Sequence, residues 1–267
     1  MFDEILIYKV FLSFLTGGVF TAITLCGAER YGPRLGGIIA GLPSTTAVGL
    51  FFIGYTQTPQ AASRAASLMP AAVAGSLLFA AVYAYACRKV GYLAALAAAS
   101  AIWLCIAVPL AYYRFEDINT ATALFAVVWI AVVYSMKGHT RETRMPKKAQ
   151  YTAAQKIGRA VFAGSVIAFA VVVSSMLGPL WGGALAAFPA MFLSSFFILA
   201  RSYGCEYSAD LARNTPLGLM GVIPYLWGVH FFYPSQGLAG GTALSYALSL
   251  TATGAVYFLL GSGRRVA

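Results

Sequence analysis

The chain has 267 residues, 60% of them hydrophobic and 10% charged, and its mean hydropathy is +0.77. A soluble domain is about half apolar and a quarter charged, so this composition excludes a soluble enzyme, a nucleic-acid-binding domain and a secreted disulfide scaffold. The formal charge of +10 lies mostly between apolar runs, so it reports topology rather than a nucleic-acid partner.

A helix that crosses a bilayer takes about 20 mostly apolar residues. That ruler predicts nine spans, at roughly 5–27, 35–54, 68–87, 92–113, 118–136, 160–178, 180–200, 216–233 and 240–261. The first is too long for a cleaved signal and carries Asp3 and Glu4 where a signal carries Lys or Arg. The longest polar stretch, 137–159, reads as a linker. With nine spans, fifteen of the eighteen Lys and Arg residues fall on one side, and only Lys9, Arg64 and Arg114 on the other. The positive-inside rule then puts the N-terminus outside and the C-terminus inside a cytoplasmic (inner) membrane.

The stretch from Gly32 to Pro43 recurs from Gly178 to Pro189, an offset of 146 residues. The same offset, without a gap, pairs Gly18 with Gly164, Phe51 with Phe197, Ala66 with Ala212, Pro70 with Pro216 and Gly75 with Gly221. Glycines and prolines in register point to an internal duplication. The matched spans two and seven are separated by an odd number of helices, so the second copy is inverted. The expected fold is an all-α polytopic membrane protein, a 4+1+4 inverted repeat with broken helices two and seven. Its parts are a first four-helix repeat (1–115), a linker helix with a basic cytoplasmic loop (116–150) and a second repeat (151–267).

Pro43 and Pro189 fall near the middle of spans two and seven. A mid-helix proline lacks an N–H and displaces the carbonyl four residues back, here those of Ile39 and Leu185. Lipid tolerates such freed groups only against protein or a water-filled cavity. The glycine pairs Gly36-Gly37 and Gly182-Gly183 allow close backbone approach. Ser44, Thr45 and Thr46 follow the first proline, while hydroxyls return only at Ser194 and Ser195 after the second. These eleven residues are the candidate substrate-binding set: Gly36, Gly37, Pro43, Ser44, Thr45, Thr46, Gly182, Gly183, Pro189, Ser194 and Ser195. The competing reading takes the glycines as packing seams, the prolines as kinks and the hydroxyls as donors to their own helix.

No Asp, Glu, Lys or Arg lies mid-span, which argues against a proton antiporter and for neutral oxygens as ligands. His230 reads as an interfacial tip and His139 as a solvated loop residue. Arg201 reads as a snorkelling anchor. Glu206 and Asp210, four apart in the loop 202–213, read as a solvated face. Tyr112-Tyr113, Phe231-Phe232-Tyr233 and Trp181 resemble aromatic belts. Cys26, Cys87, Cys105 and Cys205 show no metal or redox spacing and read as buried or membrane-embedded thiols. There is no HExxH, GxSxG or P-loop, so catalysis, an organic cofactor and a metal are not expected.

The run Gly36-Gly37-Ile38-Ile39-Ala40-Gly41-Leu42-Pro43-Ser44-Thr45-Thr46 resembles the core of GlpM-like small inner-membrane proteins, a family of unknown function. The likeness covers about 35–80 and, more weakly, 181–226, where Ser-Thr-Thr is missing after Pro189. It implies two four-helix units fused through a linker helix. The layout is also similar to that of fused fluoride channels, in topology and not in motif. The expected function is a membrane transporter or channel for a small polar solute or ion, with the site at the repeat interface. The partners are the lipid bilayer and that solute, with room for a homodimer. The alternative is a non-transporting membrane assembly protein.

Overall fold

The computed structural model describes residues 4–30, 43–136 and 151–262, and is all-α over them. In chain order the helices are α1 (Glu4–Arg30), α2 (Ser44–Thr56), α3 (Pro59–Val90), α4 (Tyr92–Tyr112), α5 (Ile118–Met136), α6 (Ala153–Leu177), α7 (Pro179–Ala186), α8 (Ala190–Leu219) and α9 (Val222–Ser262). Six stretches among the described residues are long and apolar enough to cross a membrane: Glu4–Thr24, Pro59–Val90, Tyr92–Tyr112, Ile118–Met136, Ala153–Leu177 and Pro179–Pro216. The chain is therefore a multi-pass membrane protein in contact with lipid.

Helix α3 is the centre of the bundle. It packs against α2, α4, α5, α7, α8 and α9, and Leu68, Met69, Leu77, Phe79 and Tyr83 are fully buried. Its alanine-rich sequence lets neighbours approach on every side. Local signals fix both ends. Thr58 accepts a hydrogen bond from the Ala61 amide at 3.1 Å, and Pro59 occupies the first turn, where its missing N–H costs nothing. Arg88 and Lys89 complement the helix dipole in the last turn. Gly91 stops the helix at φ 81°, ψ 161°, a region essentially reserved for glycine. The outer helices show lipid-facing stripes, such as Tyr8, Phe11, Leu15, Val19 and Ile23 on α1.

Three expectations change here. Residues 59–67 and 205–213, expected in loops, are helical, because α3 begins at Pro59 and α8 resumes directly after Gly204. Hydropathy finds only the apolar middle of such helices, whereas the cap and the glycine set the ends. Helix α8 is interrupted at Gly204 (φ 85°, ψ 169°) and α9 at Gly237 (φ 68°, ψ −174°). The expected span 216–233 is thus divided at Met220-Gly221, between α8 and α9. Cys87 and Cys205 form a disulfide, with Cα atoms 5.7 Å apart, instead of two separate thiols. Their sequence separation of 118 leaves no local signal for this pairing.

Candidate functional site

The chain breaks at Pro189. Helix α7 closes with a tight turn in which the Phe188 amide donates to the Leu185 carbonyl at 2.9 Å. Pro189 follows at φ −77°, ψ 52°, and its carbonyl accepts from the Leu193 amide at 2.9 Å to start α8. Pro43 has nearly the same conformation, φ −73°, ψ 62°, and accepts from the Ala47 amide at 2.8 Å to start α2. Each proline therefore opens a helix, where it lacks nothing, rather than kinking one. The Leu185 carbonyl, expected to be freed, is satisfied within its own turn, and Ile39 lies outside the described residues. The group that needs help is the Ala187 carbonyl, which accepts from Ser76 Oγ of α3 at 3.3 Å.

The structure brings part of the candidate set together. Gly36 and Gly37 lie outside the described residues. Pro43, Ser44 and Thr46 are buried at the start of α2, and Thr45 is half-buried. One turn later, a Cβ placed on Gly49 would stand 2.9 Å from Ala186 Cβ, so α2 meets α7 beside the break. A Cβ on Gly183 would stand 2.6 Å from the Ala65 carbonyl oxygen, and one on Gly182 would stand 2.3 Å from Ser174 Cβ. Both glycines are close-packing positions. Ser194 and Ser195 donate back to the Met191 carbonyl, at 3.2 and 2.5 Å, and Ser195 also accepts from Arg159 Nη2 at 2.7 Å. The serines after Pro189 thus face their own helix and α6. None of the hydrogen bonds among the described residues joins them to Ser44–Thr46.

Arg159 is the residue that the hydropathy reading missed, since it fell one position outside span six. It is 4% exposed and lies over the Tyr151 ring at 4.8 Å. The signal was present in Thr152-Ala153-Ala154-Gln155, a capping box in which each side chain bonds the other's backbone amide. That box starts α6 at Ala153 and places Arg159 well inside the helix.

One charge expectation is also corrected. Asp210 is buried, not solvated, and pairs with Arg213 at 2.5 Å, with both side chains under a tenth exposed. Glu206 is exposed, facing Arg88 at 3.6 Å. The two residues are four apart on one helical face, so the difference lies along the axis: Glu206 is at the start of the stretch beside Gly204, while Asp210, one turn further, lies among the buried Ser208, Ala209 and Ala212. His230 is half-buried: Ser63 Oγ donates to its carbonyl at 2.7 Å and lies 3.4 Å from Nδ1. In the α4–α5 connection, Asp117 has its carboxyl held below the usual carboxylate range by hydrogen bonds from the Thr120 hydroxyl and the Asn119 amide. Among the described residues no group of His, Cys, Asp and Glu is arranged to hold a metal ion.

A cleft of about 410 Å³ lies between α1, α2 and α9. Leu12, Phe20, Val48, Phe51 and Phe52 give it an apolar lining, with Thr16, Thr242 and Tyr246 as its polar side chains. Its lining on α2 starts at Ala47, the residue directly after Thr46.

These helices define a multi-pass all-α membrane protein built around interrupted helices. Residues 157–260, from the second turn of α6 to near the end of α9, match the model of a family described as "Protein of unknown function (DUF3147)". No curated protein and no solved structure matches the chain.

Proposed function

We propose that the protein is a transporter or channel that moves a small polar solute or ion across the cytoplasmic membrane, through a site where two inverted four-helix repeats meet. In this reading the chain crosses nine times, N-terminus outside and C-terminus inside, and α5 joins the repeats. The observation that carries it is the pair of prolines 146 residues apart, Pro43 and Pro189, which open helices with the same backbone conformation. Inverted repeats with interrupted helices are a common ground plan of transporters, with the pathway at the repeat interface.

Further correspondences support the duplication. Gly91 and Gly237, at the same offset, both end a helix at positive φ. A Cβ on Gly18 would face the Ala160 carbonyl oxygen at 3.2 Å, and one on Gly164 would face the Phe14 carbonyl oxygen at 2.5 Å. Residues 14 and 18 are equivalent to 160 and 164, so each copy presents the same patch to the other, as elements related by a two-fold axis do.

Proteoliposome flux, screened over ions and small metabolites, tests the proposal. Wild type is expected to conduct one class of solute, and the double variant Thr45→Val, Thr46→Val to lose most of that flux while remaining folded. The second reading is a membrane assembly protein, in which Gly182 and Gly183, packed against Ser174 and Ala65 of the same chain, are seams of the bundle and line no site. No flux for any solute, with a partner co-purifying, establishes that reading instead. Orientation is checked by labelling single cysteines at positions 3 and 144; labelling from the same side refutes the nine-span layout.

A further inference from the structure

The Cys87–Cys205 pair ties together two parts of the molecule that differ in freedom. Cys87 is in the last turn of α3, the most deeply packed helix, and is 1% exposed. Cys205 is half-buried and directly follows Gly204, the single non-helical residue within α8. A side chain at Gly204 would meet nothing within 4 Å, so the chain has room to pivot there. The segment before this joint, 190–203, starts at Pro189 and carries the candidate site residues Ser194 and Ser195.

That segment is held on α3 at three levels. At its start, Ser76 bonds the Ala187 carbonyl just before the break. In its middle, Phe196 stacks on Tyr83 at 4.7 Å and on Phe79 at 6.1 Å. At its end, the disulfide joins Cys205 to Cys87. Only the last attachment is covalent, and only it responds to redox conditions. The neighbouring Arg88 and Lys89 are among the cations that assign this end of α3 to the cytoplasmic side, an orientation that rests on the topology proposed above. Disulfides on that side are rare, and where present they are transient or redox-sensing rather than structural.

We propose that Cys87 and Cys205 form a reversible dithiol–disulfide clasp that pins the Gly204 joint to α3 when oxidised and, when reduced, frees the joint and with it the 190–203 segment that it carries. A dithiol reductant opens the clasp by attack of one thiolate on the half-buried Cys205 sulfur. The Cys87 sulfur leaves and takes up a proton, and the second reductant thiol then resolves the mixed disulfide. Two electrons and two protons pass to the protein, giving two thiols, and the reductant becomes a disulfide. Closure by a small azo or peroxide oxidant removes the same two electrons and two protons.

The test uses the full chain in a Cys26→Ser, Cys105→Ser background. In acid-quenched cells both remaining thiols are expected to take a polyethylene-glycol maleimide; after a diamide pulse neither should, and the reactivity should return once the oxidant is removed. A pair already bonded before oxidant, or one that never bonds after it, overturns the proposal. A version that keeps only the half-buried Cys205, labelled with a membrane-impermeant maleimide, is expected to react in inside-out vesicles and not in intact cells. Labelling in intact cells overturns the orientation together with the clasp, whereas cytoplasmic labelling of this single cysteine, with the pair in the two-cysteine protein staying bonded in the cell, overturns the clasp alone. Hydrogen exchange of peptides from 190–203 in the purified protein should be on the order of tenfold faster after reduction. The Cys87→Ser, Cys205→Ser variant should exchange at the fast rate under both conditions. Equal exchange in the oxidised and reduced protein refutes release. None of these readouts uses transport, so a failed flux assay counts against the transport reading only.

Discussion

The crossing of α1 and α6 allows a comparison between two equivalent glycines. A Cβ on Gly164 would sit 2.5 Å from the Phe14 carbonyl oxygen, whereas one on Gly18 would sit 3.2 Å from the Ala160 carbonyl oxygen, and ordinary contact begins at 3.4 Å. Gly164→Ala therefore requires the helices to part by about 0.9 Å and Gly18→Ala by about 0.2 Å, in a packed interior that yields little. Because the obstacle at Gly164 is backbone, the cost lies in the upper part of the overpacking range, about 2–3 kcal/mol. Alanine recovers about 1 kcal/mol of helix propensity at either site. Gly164→Ala is then expected to lose about 1–2 kcal/mol, and Gly18→Ala to be neutral or slightly stabilised. Unfolding in mixed micelles, followed by circular dichroism against the mole fraction of a denaturing detergent, measures both. Equal losses, or a greater loss in Gly18→Ala, would refute the reasoning from close approach.

Other expectations follow from single contacts. Gly237→Ala should cost about 1–3 kcal/mol, because its backbone angles are open only to glycine, and a melting temperature equal to wild type would contradict this. Arg159→Ala should lose about 1.5–3 kcal/mol through the charged hydrogen bond to Ser195. Arg159→Lys should not recover it, since an ammonium cannot stack flat on Tyr151 while donating in the same direction; full recovery in an unfolding titration argues against that geometry. Asp117 has a depressed pKa in the folded state, so its cap on α5 is fully present above the unfolded value of about 3.9 and fades as the pH falls through the lower folded value. Amide exchange in the first turn of α5 should therefore rise only in acid, and Asp117→Ala should show the fast exchange at neutral pH.

Several features were legible because they rest on residues with unusual backbone demands. Gly178 and Pro189 mark the two ends of α7, and the offset of 146 pairs Pro189 with Pro43 in the sequence alone. The break expected at Pro189 is present, but it frees no carbonyl at Leu185, because the preceding turn closes on itself and the proline begins the next helix. Arg159 and Asp210 were misplaced for a shared reason. Hydropathy treats a charge beside an apolar run as solvent-facing, whereas its helix continues past the run and rotates the charge inward. The Cys87–Cys205 contact depends on α3 and α8 lying side by side, and no local pattern encodes that adjacency. Gly18 and Gly164 were recognised as equivalent, but their mutual contact is a property of how the two halves pack.

The deep burial of α3 also sets an order of events during synthesis. Its buried hydroxyls lie on two opposite faces, Ser63 and Ser67 on one and Ser76 and Tyr83 on the other, and the face with Ser76 and Tyr83 is covered by the chain at Ala187 and by α8, both made much later. Ser208, the partner of Tyr83, follows it by 125 residues, which at about 5–20 residues per second means a delay of roughly 6–25 s. Throughout that interval the future centre of the bundle is a bilayer-inserted helix whose polar groups face lipid or an insertion machine. A ribosome stalled before α8 emerges would leave that face uncovered, and the nascent chain would be open to recognition by membrane quality control.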